Sequence, residues 1–180
     1  VHRISADGDP RRPSPTLSGL VSAGQPRDTG PPANPSTIIV LTSGTTGEPR
    51  GARRPNAPGL HPLSATLARI PLRTGERMFI AAPLFHTWGL SMLQVCFALG
   101  GTAVLRRRFD PLDAYRTLGQ HRCTSLVAVP VMLQRMLEVR APAPSVRVIA
   151  SSGSALPGGL ANRFMDAYGE VLYNLYGSTE

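Results

Sequence analysis

The feature that most constrains this fold is the regular alternation of short apolar runs with amphipathic helical patterns. From residue 78 onward the apolar runs begin about 21 to 25 residues apart, which leaves room for a strand, a turn, a helix and a return. Parallel neighbouring strands need such crossovers, which hairpins cannot supply. The chain is therefore predicted to be an α/β protein, with a mostly parallel sheet and flanking helices. The β-type runs lie at residues 37–41, 78–81, 102–105, 125–129, 146–150 and 171–173.

Helical patterns separate most of these runs. Asp110 and Pro111 predict a helix start, because aspartate accepts free backbone N–H groups and proline tolerates the first turn. Pro130 is predicted to open the next helix, and a third apolar stripe begins at Leu160. The residues predicted to face the core are Leu112, Tyr115 and Leu118, then Leu133, Met136 and Leu137, and finally Leu160, Phe164 and Tyr168.

Residues 78–105 carry no formal charge and are followed by a run of three arginines. This length and this basic flank are typical of a transmembrane helix. The interior is not, because Pro83, His86 and the pair Gly100-Gly101 interrupt it. We therefore predict a β run, a loop, a helix of about three turns and a second β run, with no transmembrane segment.

Composition separates a tail from a folded domain. The first 36 residues hold 7 prolines and 4 glycines with little apolar periodicity, so residues 1–35 are predicted to be a linker or disordered tail, and residues 36–180 the domain. All 19 basic residues are arginine, and the net charge is +8. No aromatic residues alternate with the scattered arginines, which argues against a nucleic-acid partner. Cys96 and Cys123 have neither metal nor disulfide spacing and are predicted to be buried thiols in a reducing cytoplasm.

A glycine- and hydroxyl-rich segment, TSGTTGEPRG, occupies residues 42–51 directly after the first β run. Its glycines, Gly44 and Gly47, allow backbone N–H groups to converge on one oxyanion. The side chains that would add donors or positive charge are Thr42, Ser43, Thr45, Thr46 and Arg50. The segment is neither GxxxxGK[ST] nor GxGxxG, so those two nucleotide motifs do not apply. A polyphosphate loop and a flexible turn between two elements are both open at this point.

The wording of this segment resembles the phosphate-binding signature of the AMP-forming adenylating enzymes, which include acyl-CoA synthetases, peptide-synthetase adenylation domains and luciferases. The usual family form ends in Pro-Lys-Gly, and Arg50 stands at the lysine position with the same charge on a larger planar head. Three further segments resemble family motifs in family order: APLFHTWG at residues 82–89, SSGSAL at 151–156 and YNLYGSTE at 173–180. Within the family, PLFHTWGL and RRRFD look most like bacterial fatty-acyl-CoA ligases.

The resemblance implies roles for these residues. Residues 42–47 and Arg50 would bind the ATP phosphates, and the acyl pocket would be bordered by His86, Trp88 and Gly153. Thr179 would donate to a phosphate and Glu180 would hold Mg²⁺, which makes them the implied catalytic residues. The adenine and AMP contacts would be Gly153, Ser154, Ala155, Asn174, Tyr176, Gly177 and Thr179, with the Tyr176 ring stacked on adenine.

Plainer alternatives stand beside these roles. His86 could be a core histidine, Trp88 a packing residue, Gly153 a strand-to-helix turn and Tyr176 a cover for the sheet edge. Residues 106–108 are predicted to be a solvated surface, with contact to the CoA nucleotide as the alternative.

The implied reaction has two steps, with ATP, Mg²⁺ and CoA taking part. A carboxylic acid, here a fatty acid, attacks the α-phosphorus of ATP to give acyl-AMP and pyrophosphate, and the thiol of CoA then displaces AMP to form the thioester. The family's ribose-binding Asp motif, hinge and C-terminal domain with its catalytic lysine would lie beyond Glu180, and part of the large domain would precede Val1. We therefore expect these 180 residues to be inactive and marginally folded alone, because the sheet would expose unpaired edges.

Two other functions remain open. One is an adenylation domain that loads an amino or aryl acid onto a carrier protein. The other is a non-catalytic nucleotide-binding remnant. The expected location is cytoplasmic, with peripheral contact to a membrane left open.

Overall fold

The computed structural model describes residues 39–42, 50–53, 61–139, 141 and 145–177, together with positions 19, 22–24 and 30. The chain divides into two compact units, Val1–Ser36 and Thr37–Glu180. All elements discussed here belong to the second unit.

The described part of this unit holds seven strands and five helices. The strands are β1 (Ile39–Thr42), β2 (Arg50–Arg53), β3 (Arg77–Ile80), β4 (Thr102–Leu105), β5 (Ser125–Ala128), β6 (Val148–Ser151) and β7 (Leu172–Asn174). The helices are α1 (His61–Leu67), α2 (Thr87–Ala98), α3 (Pro111–Gln120), α4 (Pro130–Glu138) and α5 (Gly158–Tyr168).

Five of the strands form one sheet in the order β4-β3-β5-β6-β7, and every neighbouring pair is parallel. This confirms the predicted α/β class with a mostly parallel sheet. Helices α2, α3, α4 and α5 supply crossovers between successive strands, as parallel pairing requires. The strand bounds differ from the predicted runs by one or two residues at most in this sheet.

The first predicted strand belongs elsewhere. β1 pairs antiparallel with β2 in a separate two-stranded sheet, so the glycine-rich segment lies between two strands of a hairpin and does not follow a strand of the parallel sheet. β2 was not predicted, because its residues RGAR have no apolar alternation and low strand propensity. Thr42 and Arg50 are paired across this ladder and close the segment between them.

The long uncharged segment is resolved as predicted into β3, the 12-residue helix α2 and β4. In the residues that the structure describes, no helix combines the length and the apolar character needed to cross a bilayer.

Helix α3 begins as its sequence predicts, but the prediction that Leu112 faces the core is wrong. The Asp110 carboxylate accepts the backbone N–H of Asp113 at 2.8 Å, and Pro111 occupies the first turn. Leu112 is 47% exposed. Each residue turns the helix by about 100°, and Leu112 falls well away from the centre of the buried face. That face is made by Ala114, Tyr115, Thr117 and Leu118.

The core has two sides. On one face of the sheet, α3, α4 and α5 cover a cluster that includes Phe79, Leu126 and Ile149. On the other face, α2 covers a cluster with Met78 and Val127. The remaining predicted core residues conform: Leu133, Met136, Leu160 and Phe164 are buried, while Leu137 and Tyr168 are partly buried and pack against the first cluster.

Glu76 holds together the amino ends of three neighbouring strands. It is 3% exposed, and its carboxylate accepts the Thr124 hydroxyl, the Arg147 guanidinium and, at 3.0 Å, the backbone N–H of Arg73. Arg147 also donates to the Pro71 carbonyl at 2.5 Å. Because Thr124 and Arg147 directly precede β5 and β6, one carboxylate fixes the starts of β3, β5 and β6.

Candidate functional site

The carboxyl edge of the parallel sheet is where the motif-bearing segments meet. Residues 81–86, 129–130, 152–155 and 175–177 follow β3, β5, β6 and β7 in turn. All four strands run in the same direction, so these segments lie along one edge. Ligands of open α/β sheets bind in the crevice outside this edge.

Trp88 anchors helix α2 at this edge. Its indole N–H donates to the carbonyl oxygen of Ala128, the last residue of β5, at 3.0 Å. Its side chain is half-buried and packs against two core clusters, one that includes Val127 and one that includes Ala150. Trp88 therefore fastens the start of α2 to the end of β5 and to the core, which is the packing role that was left open as an alternative.

Phe85 and His86 form an exposed aromatic pair just before α2. Their ring centroids are 4.4 Å apart, and Phe85 is 75% exposed. His86 is exposed too and sits in extended backbone as the N-cap of α2, without a side-chain capping bond. The alternative of a buried core histidine is therefore wrong, and both rings are open to a ligand at this edge.

Gly153 follows β6 with φ +94°, a left-handed conformation that side chains rarely adopt. A Cβ built on it would lie 3.4 Å from Cγ1 of Val129, so the loop after β6 runs close to the end of β5. Ser154 and Ala155 are exposed. Beneath them, the Ser151 hydroxyl is buried and has no hydrogen-bond partner among the described residues.

The last strand brings three more predicted residues to the edge. Asn174 ends β7 opposite Ser151, and the Leu175 N–H donates to the Ser151 carbonyl at 2.9 Å. Tyr176 is 100% exposed and does not cover the sheet. Gly177 follows it, also exposed. The Tyr176 ring therefore presents its faces to solvent, where a planar ligand could stack.

Several predicted residues lie outside the described part of the chain. These are the phosphate-loop positions Ser43, Gly44, Thr45, Thr46 and Gly47, and the implied catalytic residues Thr179 and Glu180. Of that loop, the described backbone shows Thr42 and Arg50 facing each other across the hairpin. Among the described residues there is no cluster of three or more His, Cys, Asp or Glu side chains that could hold a metal ion. Glu180, the implied Mg²⁺ ligand, lies outside the described residues.

The arginine run at the end of β4 is partly engaged in local contacts. The Arg106 Nε–H donates to the Thr117 hydroxyl at 2.9 Å, and Nε lies 3.3 Å from the Asp113 carboxylate. Arg108 is exposed. Arg106 thus fastens β4 to α3, which the sequence analysis did not predict.

Two further contributors at the carboxyl edge were not predicted. The Ala128 carbonyl holds Trp88, and Val129 lies against Gly153. The signal was present: both residues end a predicted buried strand, at the edge where parallel sheets hold ligands.

The parallel sheet carries exposed aromatic rings, a left-handed glycine and an open tyrosine along its carboxyl edge, which together define an α/β protein with a candidate ligand site at its strand ends. The sequence profile of the AMP-binding enzyme family matches residues 2–180. The chain belongs to this family, which confirms the family predicted from the four motifs.

Curated relatives and solved structures agree. The chain is 33% identical over 148 residues to a 2-succinylbenzoate–CoA ligase of Bacillus pumilus, covering 82% of this chain and 30% of the relative. It is 33% identical to an indoleacetate–CoA ligase of Aromatoleum aromaticum, covering 86% and 31%. The o-succinylbenzoate CoA synthetase of Bacillus subtilis, solved with ATP and magnesium, aligns with a TM-score of 0.69 and 31% identity over 79% of this chain and 30% of that one.

A further solved structure supports the fold alone. ATP-bound MatB from Rhodopseudomonas palustris aligns with a TM-score of 0.71 at 24% identity, over 79% of this chain and 29% of that one. The chain thus spans about three tenths of the length of the relatives it matches.

Proposed function

We propose that this chain is the nucleotide- and acyl-binding part of an AMP-forming acid–CoA ligase. The observation that carries the proposal is the convergence of three of the four family motifs on one sheet edge, in a chain that belongs to the AMP-binding enzyme family. Its relatives are named as CoA ligases of several acids. The two steps are formation of acyl-AMP with release of pyrophosphate, then transfer of the acyl group to CoA with release of AMP.

Charge neutralisation is the main demand of the first step, because a carboxylate must approach a polyanion. Backbone N–H groups and hydroxyls of residues 42–47, with the Arg50 guanidinium, would supply part of it. Mg²⁺ would be held by Glu180, as a hard cation prefers carboxylate oxygen, and would offset negative charge on the phosphates. Thr179 would donate to a phosphate, and the Tyr176 ring would stack on adenine.

The acid would bind against the aromatic pair Phe85 and His86, with Trp88 and Gly153 closing the pocket. Such a wall is apolar and flat, and it suits either an alkyl chain or a ring. The PLFHTWGL motif favours a fatty acid as the substrate. An aromatic or ring-bearing acid is favoured by the names of the relatives, which include a feruloyl-CoA synthase of Amycolatopsis at 33% identity.

ATP–pyrophosphate exchange by the protein expressed from the complete reading frame that holds this chain would test the proposal. Exchange should require an added acid, and formation of the thioester should require CoA. Fatty acids and ring-bearing acids assayed side by side decide the substrate class. Glu180→Gln should lower exchange by about 100-fold or more, whereas Glu170→Gln, an exposed glutamate before β7, should leave it unchanged.

Two results would direct the assignment elsewhere. Exchange driven by an acid, but with transfer to a carrier protein and none to CoA, would favour an adenylation domain. Binding of MgATP in a calorimetric titration, with no exchange driven by any acid, would favour the non-catalytic nucleotide-binding remnant and overturn the proposal.

The cytoplasm is the proposed compartment, because Cys96 and Cys123 are free and buried, as in proteins of reducing environments. Vesicle flotation of the same protein tests peripheral contact with a membrane.

A further inference from the structure

We propose that Gly89 is a positioning residue that fixes where the Phe85–His86 pair stands at the carboxyl edge. That this pair contacts an acyl substrate rests on the proposed function. That Gly89 positions the pair does not depend on the proposed function. Gly89 is a buried residue in the first turn of α2. It has no predicted contact with any ligand.

The space around Gly89 is closed by main-chain atoms. A Cβ on this residue would lie 2.4 Å from the carbonyl oxygen of Pro83, 2.8 Å from its carbonyl carbon and 2.7 Å from the carbonyl oxygen of Ala82. Side-chain neighbours could rotate away from an added methyl group, but backbone carbonyls can move only with the chain that carries them. Any side chain here must displace either α2 or the turn at residues 82–86.

The turn is fastened at its start. The N–H groups of Ala81 and Ala82 both donate to the Val127 carbonyl, at 2.9 and 3.1 Å. The Pro83 carbonyl, the atom nearest to Gly89, accepts the His86 N–H at 3.2 Å. Displacement of that carbonyl is therefore transmitted directly to His86.

The helix is fastened as well. The Trp88 indole N–H donates to the Ala128 carbonyl at 3.0 Å, and the Leu90 N–H donates to the His86 carbonyl at 3.1 Å. Helix and turn thus meet at Gly89 with anchors on both sides. The exposed stretch with Phe85 and His86 is the part least restrained by packing, so it must take up the displacement.

The other end of α2 offers a matched control. A Cβ on Gly101 would lie 2.6 Å from the Glu76 carbonyl oxygen and 3.0 Å from the Cys96 sulfur. Gly101→Ala therefore forces a similar backbone clash at the amino edge of the sheet. It touches neither the turn nor its hydrogen bonds.

Histidine NMR of the protein expressed from the complete reading frame that holds this chain would test the inference. The chain has four histidines, and His86→Gln assigns the imidazole Cε1–H signal of His86 in protein labelled with ¹³C-histidine. In Gly89→Ala that signal should move, together with the Trp88 indole N–H signal. In Gly101→Ala both signals should keep their positions, although the midpoint of thermal unfolding falls. Unmoved signals in Gly89→Ala, or equal movement in Gly101→Ala, would overturn the inference.

If Gly89→Ala does not fold, a second variant tests the same inference. Pro83→Gly adds no atoms and loosens the same turn, so the His86 signal should broaden and shift toward that of a free histidine. An unchanged signal would show that this turn does not control the His86 ring.

Kinetics of the complete protein separate this inference from the proposed function. Gly89→Ala should raise the KM for the acid by about tenfold with a smaller change in kcat and in the KM for ATP. If the His86 signal moves but no acid supports exchange even in the wild type, the proposed function fails and the positioning role of Gly89 stands.

Discussion

The carboxylate of Glu76 and the guanidinium of Arg147 form an ion pair at the amino edge of the sheet, opposite the candidate site. The Glu76 side chain is 1% exposed and that of Arg147 29%. Breaking a buried pair leaves the remaining charge without compensation, which is more costly than the net value of the pair. Because Arg147 is partly exposed, water solvates its charge and the loss of stability is smaller.

Glu76→Gln should therefore lower the free energy of unfolding by about 3 kcal/mol, toward the low end for buried pairs. Asp113→Asn supplies the comparison, because its pair with Arg106 is roughly two-fifths exposed and should be worth less than about 1 kcal/mol. Urea unfolding followed by circular dichroism measures both. Equal losses in the two variants would show that burial of Glu76 does not decide its contribution.

Two adjacent hydroxyls should respond in opposite directions to removal. The Thr124 hydroxyl donates to Glu76, whereas the Ser125 hydroxyl is buried with no partner among the described residues. Thr124→Ala should cost about 1 to 2 kcal/mol, since a charged acceptor loses its donor. Ser125→Ala should be neutral or stabilising by up to about 1 kcal/mol, since no bond is lost. Thermal unfolding of the two variants checks this, and a loss for Ser125→Ala would reveal an unseen partner.

Buried thiols make stability depend on pH. Burial raises the pKa of Cys96, with a smaller contribution from the charge of Glu76. Burial also raises the pKa of Cys123, partly offset by Arg77. A pKa raised in the folded state means that the neutral thiol is favoured there, so the stabilisation is full below the ordinary thiol pKa and is lost as pH rises through the folded value.

The wild type should accordingly lose more stability between about pH 8 and pH 10 than the variant with Cys96→Ala and Cys123→Ala. The measurement is the urea midpoint across that range under reducing conditions. Parallel curves for the two proteins would exclude the thiols as the source.

Helix starts and element boundaries were predicted correctly where a few local residues determine them. Asp110 and Pro111 locate the start of α3 because the aspartate accepts a free backbone N–H and the proline has no N–H to leave unpaired, whatever packs nearby. The uncharged segment was divided correctly because its proline and glycine pair are incompatible with one continuous helix. The order of strands in the sheet was not predicted, since it depends on contacts between residues far apart in the chain.

The misses have physical reasons as well. β2 was missed because its sequence RGAR has no apolar alternation, and its pairing with β1 joins two separate segments, which no pattern within β2 records. Leu112 fits a helical stripe by spacing, but tertiary packing centres the buried face elsewhere on α3. The roles of Glu76, Ala128 and Gly89 come from main-chain and side-chain contacts across the sheet, which no local pattern records.

Two glycines near the site should respond oppositely to the same substitution. Gly153 has φ +94° and a Cβ there would lie 3.4 Å from Val129, so Gly153→Ala should cost about 1 kcal/mol or more. Gly159 lies in the first turn of α5 with open space around it, and Gly159→Ala should stabilise the protein by about 0.5 to 1 kcal/mol, because alanine restricts the unfolded chain.

Unfolding midpoints of these two variants give the comparison. A stabilised Gly153→Ala would mean that the loop after β6 adopts another conformation in solution. That loop would then not present Ser154 and Ala155 beside the end of β5, and the shape of the candidate site would have to be revised.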